Sequence, residues 1–212
     1  MEMSALLAFT AVAATLIMVP GPDWALLVGV SSRRGPVAPS IVGLALGYAV
    51  ITTAVVAGVA PLVAAEPTAL LVLSMVGAAY LLHVGVGMLR SPVAADIPID
   101  AGAPATGSVG RAVRQGLGVS TLNPKALLFF LAFLPQFANP GAPWPFAIQL
   151  AVLGTTWILL ASGFYAVLGY TARRSLHRRP GLTLVLTRLS GVAMVVAGIA
   201  LPIEQLIRHT PG

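Results

Sequence analysis

Two ionisable residues stand where an apolar sequence ought to exclude them. Asp23 and Lys125 each directly follow a proline inside a long hydrophobic block, in the runs VPGPD (Val19 to Asp23) and LNPK (Leu122 to Lys125). An anion and a cation so placed could grip the two ends of a zwitterion, pair with each other, or pass a proton. Proline removes a backbone donor and frees a carbonyl one turn earlier. Pro20, Gly21 and Pro22 should therefore unwind one helix, and Asn123 with Pro124 another. A broken helix exposes the ends of its halves, and an N-terminal end favours an anion. Lys125 at the start of a half-helix suits a carboxylate. Asp23 suits an ammonium group or an exchangeable proton. The plainer reading is a buried Asp23–Lys125 pair that only fixes helix packing.

The elements that must position these residues are set by composition. Of 212 residues, 58% are hydrophobic and 8% are charged, against roughly 25% charged in soluble domains. The apolar residues fall in six blocks: Ser4 to Ser31, Val37 to Ala65, Thr68 to Leu89, Val113 to Phe137, Phe146 to Ala172 and Thr183 to Ile207. Each is long enough to cross hydrocarbon as a helix. None alternates as a membrane β-strand would, and helices are the other way to satisfy backbone in lipid. The expectation is an all-α polytopic membrane protein with six transmembrane helices, the first and fourth broken. The first block lacks a basic leader and carries Pro20, Pro22 and Asp23, so it does not read as a cleaved signal peptide.

Arginines give the orientation. Arg33 and Arg34 lie in the first connection, Arg90, Arg111 and Arg114 in the third, and Arg173, Arg174, Arg178 and Arg179 in the fifth. Basic loops face the cytoplasm, which puts both termini outside. The net charge of +6 is then topological and does not call for nucleic acid. Asp23 lies ten positions before Arg33, and Lys125 eleven after Arg114. At the helical rise these are depths of roughly 15 and 16 Å, close to the middle of a core about 30 Å thick. A charge there costs at least about 2.5–3.5 kcal/mol.

The chain divides into a first three-helix repeat at 1–90, a cytoplasmic linker at 91–112 rich in proline and glycine, and a second three-helix repeat at 113–212. The two proline motifs open the halves, and Gly77 with Gly85 answers Gly191 with Gly198. An odd number of spans per half requires the second to be inverted, as in many secondary transporters. Weaker candidates follow. Arg188 could bind an anion, although snorkelling to the interface is the simpler account. His83 reads as a satisfied or interface-facing histidine, with a proton relay as the sharper alternative, and Glu204 as an interface residue. Gly43, Gly47, Gly154 and Gly163 read as helix contacts, which would also permit a homodimer. Thr52, Thr53, Thr155 and Thr156 line a cavity or merely bond their own backbone. Trp24 could wall the site.

There is no GxSxG, HExxH, Walker loop or dinucleotide fingerprint, so no enzyme, cofactor or metal is expected. Energy must then come from an ion gradient.

These motifs resemble those of the LysE/RhtB family of bacterial amino-acid exporters. The likeness runs from Leu6 to about Ile207 and is carried by VPGPD, GAAYL (Gly77 to Leu81), LNPKALLF (Leu122 to Phe129), FLPQF (Phe133 to Phe137) and RLSG (Arg188 to Gly191). It implies an amino-acid exporter of the bacterial cytoplasmic membrane driven by the proton motive force. It points to Pro20, Gly21, Pro22, Asn123, Pro124 and Lys125 as motif residues. The family pattern has a basic residue three positions before the glycine of GAAYL. Here that position is Ser74, and Arg188 is its repeat-related counterpart. The alternative is a non-transporting assembly protein whose Asp–Lys pair is structural.

Overall fold

The computed structural model describes residues 1–19, 21–32, 35–66, 68–90 and 108–175, and positions 188, 192, 195, 196 and 199. Among these residues every regular element is helical: α1 (Met3–Ile17), α2 (Pro22–Ser32), α3 (Val37–Ala65), α4 (Thr68–Arg90), α5 (Val109–Thr121), α6 (Pro124–Leu128) and α7 (Phe146–Ser175). Pro20, Arg33, Arg34, most of the linker, Gly191, Gly198 and Glu204 lie outside the described residues. So do the side chains of Ser74, Gly77, Pro124 and Lys125.

Two helices, Val37–Ala65 and Phe146–Thr171, are each long and apolar enough to cross a membrane, and two bent pairs could add one crossing each. The first pair is α1 with α2, at 55°, and the second is α5 with the helical run Ala126–Phe137, at 57°. Both bends fall at the proline motifs. Pro22 and Pro124 each occupy the first position of the helix that follows, where a missing N–H costs nothing and the fixed φ already suits a helix. The helix of the fourth block, α5, begins at Val109, four residues before the apolar run itself. Of the sixth block, positions 188, 192, 195, 196 and 199 are helical.

The outer surface is apolar. Val42, Leu46 and Val50 on α3, Val72 and Val76 on α4, Leu159 and Val167 on α7, and Val192, Val196 and Ile199 are all exposed. The spacings of three, four and eight residues put each set on one helix face. Such stripes belong against lipid. This is a multi-pass membrane protein.

The core forms where α3 crosses α5 and α7. At the first crossing Gly43 and Gly47 face Gly116 and Ser120. A Cβ on Gly43 would strike the Val113 carbonyl, and one on Gly116 the Ser40 carbonyl. One on Gly47 would lie 2.9 Å from the Leu117 oxygen. Small residues four apart let backbones meet without intervening side chains. At the second crossing Gly154 lodges against Thr52, where a Cβ would come within 2.6 Å of Oγ1. Gly163 does not belong to this set, because none of the described residues lies within 4 Å of its Cβ position and it is exposed. It sits on the other face of α7, which sequence spacing alone does not reveal.

After α6 the helix widens into a π turn, Phe129–Phe133, and then tightens into a 3₁₀ turn, Leu134–Phe137. The Leu134 N–H reaches back to the Phe129 carbonyl, five residues away. Pro135 offers no N–H and would clash with the carbonyl four residues earlier, so the turn before it opens. Beyond it, Gln149 fastens the loop into α7. Its Oε1 accepts from the Asn139 N–H at 3.0 Å, and its Nε2 donates to the Asn139 and Trp144 carbonyls at 2.9 and 2.8 Å.

Candidate functional site

Asp23 lies in the first turn of α2 and is only 1% exposed. The break before it is closed locally. The Trp24 Nε1 donates to the Ile17 carbonyl at 3.0 Å, satisfying an acceptor at the end of α1 that lacks a helical partner. Trp24 is thus less a wall than a cap, and it fixes how α2 leaves the break. The Gly21 carbonyl accepts from the Ala25 N–H at 3.0 Å and starts the new helix.

Three donors converge on one oxygen of the carboxylate. Oδ2 accepts from the Tyr48 hydroxyl at 2.6 Å, from the Tyr165 hydroxyl at 3.0 Å and from Asn123 Nδ2 at 3.2 Å. Tyr48 comes from α3, Tyr165 from α7 and Asn123 from the break between α5 and α6, so one atom ties α2 to three other elements. Both phenols are buried at 1% exposure, as is Asn123. The other oxygen, Oδ1, is buried without a hydrogen-bond partner among the described residues. A carboxylate can accept about four hydrogen bonds, and leaving one of its oxygens dry is costly. The arrangement holds Oδ2 rigidly and leaves Oδ1 able to take a proton or a cation.

The second break supplies Asn123 in two ways. Its carbonyl accepts the Leu127 N–H at 3.0 Å, opening α6, while its side chain crosses to Asp23. Asparagine is among the preferred residues at a helix start. Lys125 follows on the first turn of α6, two positions beyond Asn123, with its side chain outside the described residues. The structure therefore brings Asp23 and Asn123 together, with Gly21 and Pro22 at the first break and the Pro124 backbone at the second. Arg188 is exposed on its helix, and His83 is exposed on α4. The four threonines bond their own helices: Thr52 to the Tyr48 carbonyl, Thr53 to Ala49, Thr155 to Ala151 and Thr156 to Val152.

Sequence reasoning missed Tyr48 and Tyr165. A phenol in the middle of a hydrophobic span needs a partner for its hydroxyl, and that need was the available signal. Next to Tyr48 lies an aromatic cluster. Its ring stacks on Phe130 at 5.9 Å and meets Trp157 edge-on at 5.8 Å, while Trp157 lies 4.5 Å from Phe129.

The comparisons with known proteins converge on one family. The family model described as LysE type translocator matches residues 14–205. An uncharacterized membrane protein of Pseudomonas aeruginosa is 33% identical over 198 residues, covering 90% of this chain and 91% of its own. A leucine efflux protein of Klebsiella pneumoniae is 30% identical over 176 residues, covering 77% and 81%. A homoserine/homoserine lactone efflux protein of Salmonella typhimurium is 35% identical over 127 residues, covering 60% and 59%. No solved structure matches. The match spans both proline motifs and the helices around Asp23, and the chain belongs to the LysE type translocator family.

Proposed function

We propose that this protein exports amino acids or closely related metabolites across the bacterial cytoplasmic membrane, driven by the proton gradient. The efflux relatives support amino acids as the cargo. The observation that carries the mechanism is the divided carboxylate of Asp23: one oxygen with three donors, the other buried and unpartnered, at the joint of two broken spans. Oδ1 receives either the amino group of the substrate or the coupling proton, and exchange between these two charges links transport to the gradient. Lys125, at the opening of α6, holds the substrate carboxylate. Arg188 serves this site only if its helix turns it inward, so its assignment ranks behind the others.

The surrounding scheme is an inverted pair of three-helix repeats, at 1–90 and 113–212, with both termini outside. A reporter fused to the C-terminus should be active only on the outer side of the membrane. A homodimer would have to use glycines other than Gly43, Gly47 and Gly116, which are spent inside the chain; Gly58 and Gly163 meet none of the described residues within 4 Å. The rival reading, a non-transporting assembly protein, draws no support from the relatives.

The test is efflux from proteoliposomes with and without an imposed pH gradient. Asp23→Asn keeps the shape of the side chain and removes its charge. It should lower efflux by about tenfold to a hundredfold, the worth of one charge-assisted hydrogen bond, while the purified protein stays monodisperse. Efflux at the wild-type rate removes Asp23 from the mechanism. Efflux indifferent to the gradient removes the proton.

A further inference from the structure

The second broken span is open before the Asp23 joint and closed after it. Before the break, α5 buries a single face, Ala112, Gly116 and Ser120, against α3. Its opposite face is bare. Arg111, Arg114, Gln115 and Leu122 are exposed there, and Gly118 is half-buried. Spacings of three and four residues stack them in one row, and the eleven steps from Arg111 to Leu122 span roughly 16 Å. The row ends at the site. Leu122 is 79% exposed and directly precedes Asn123, which is 1% exposed and bonded to Asp23. At the other break Pro22, directly before Asp23, is exposed as well.

After the break the same span is sealed. Phe129, Phe130 and Phe133 are at most 2% exposed. Phe133 packs on Phe129 at 4.9 Å and on Phe137 at 5.1 Å, and Phe9 of α1 closes against Phe137 at 5.4 Å. The bare row of α5 also differs in chemistry from the lipid-facing stripes. Val42, Leu46 and Val50 carry no polar side-chain atom, whereas the α5 row carries two guanidinium groups and an amide. Arginine can snorkel to headgroups, but the shorter Gln115 cannot reach so far, and hydrocarbon offers its amide no partner. Between Gln115 and Leu122 stands Gly118, whose Cβ position meets none of the described residues within 4 Å.

The geometry points to a water-filled groove along the bare face of α5, by which a zwitterionic cargo enters from the arginine-marked side and reaches the Asp23–Asn123 joint. As a cargo route it rests on the amino-acid export reading above. Arg111 and Arg114 stand at the mouth and draw in the carboxylate end by its charge. Gly118 leaves the groove unobstructed in its middle, and Leu122 forms its floor beside the joint. The phenylalanine rings keep the far side shut while the groove is open, so that loading does not become a leak.

The chain has no cysteine, so single thiols report on the groove without background. Gln115→Cys, Gly118→Cys and Leu122→Cys sample it, and Leu46→Cys and Val50→Cys sample the lipid-facing stripe of α3. All five sites are exposed or unobstructed, so the full-length variants should fold, and labelling in SDS counts their thiols. In sealed vesicles of each orientation the probe is a membrane-impermeant charged methanethiosulfonate, which needs a thiolate and therefore water. From the arginine-marked side the three groove thiols should react at least about tenfold faster than the two on α3. From the other side none should react. An equimolar mixture of the proteinogenic amino acids, above its Kd, should slow labelling at Leu122→Cys about threefold by occupancy. Groove thiols as inert as those on α3 would show that this face meets lipid, and overturn the proposal while leaving export intact. Reaction from the far side overturns the one-sided opening. Labelling at Leu122→Cys that no amino acid slows overturns the groove as the cargo route. Export itself is judged separately, by Asp23-dependent efflux. Its failure with the labelling pattern intact removes the cargo and keeps the groove.

Discussion

The two broken spans bend by nearly the same angle, 55° and 57°, but are held in opposite ways. The first is closed from within, by the Trp24 indole on the Ile17 carbonyl seven residues before it. At the second the main chain closes on itself, the Asn123 N–H donating to the Ser120 carbonyl at 3.3 Å. Its Asn123 side chain reaches 100 residues back to Asp23, and its helix then widens and tightens within nine residues. One bend thus carries a side-chain strap of its own, and the other is tied by a side chain to the carboxylate of the first.

Four substitutions break or sharpen this contrast. Gly47→Ala should do the most damage, because the second bend depends on its surroundings and the new methyl would strike Ser120 and the Leu117 carbonyl at the end of α5. We expect a loss of about 3 kcal/mol, the upper range for overpacking, read as a lowered Tm in detergent. A Tm equal to wild type would mean that α3 does not hold the bend. Trp24→Phe keeps an aromatic ring but leaves the Ile17 carbonyl unmet, at a cost of about 2 kcal/mol. If stability is unaffected, the first break is not self-capped.

Asn123→Ala cuts the tie between the breaks and should lower efflux about tenfold with little change in Tm. A variant that loses stability and keeps its flux would make Asn123 a strut and nothing more. Gly163→Ala is the mildest. It adds a methyl that meets none of the described residues, with a gain of about 0.5 kcal/mol from reduced backbone freedom in the unfolded chain. Any sizeable destabilisation there would show that this face of α7 is covered.

Which parts of this were legible in the sequence follows from how local each signal is. Prolines act on their own turn, so both breaks were visible, and Asp23 was visible because a charge in mid-span is expensive. The partners of Asp23 were not. Tyr48 and Tyr165 lie 25 and 142 residues from it, and nothing in the run LGYA or FYAV tells which way a phenol points. The oppositely charged partner proposed from the sequence was the nearest one in chemical logic, but the contacts described around Oδ2 come from neutral hydroxyls and an amide. Glycine shows the same limit. Gly43, Gly47 and Gly154 lie at crossings while Gly163 faces outward, because the identity of a residue fixes its size and not its azimuth. The family itself was legible from the proline motifs together with the shorter runs between them.

The glycine crossing of α3 and α5 has a mechanical consequence. Side chains between two helices can swap rotamers and let one helix slide along the other. Here main chain rests on main chain at Gly43 and Gly116, and at Gly47 the small Ser120 side chain intervenes, bonded back to its own helix at the Gly116 carbonyl. Such a contact resists translation and separation but tolerates a change of tilt. It has the build of a fulcrum, and it lies directly beside Tyr48, which follows Gly47 in α3.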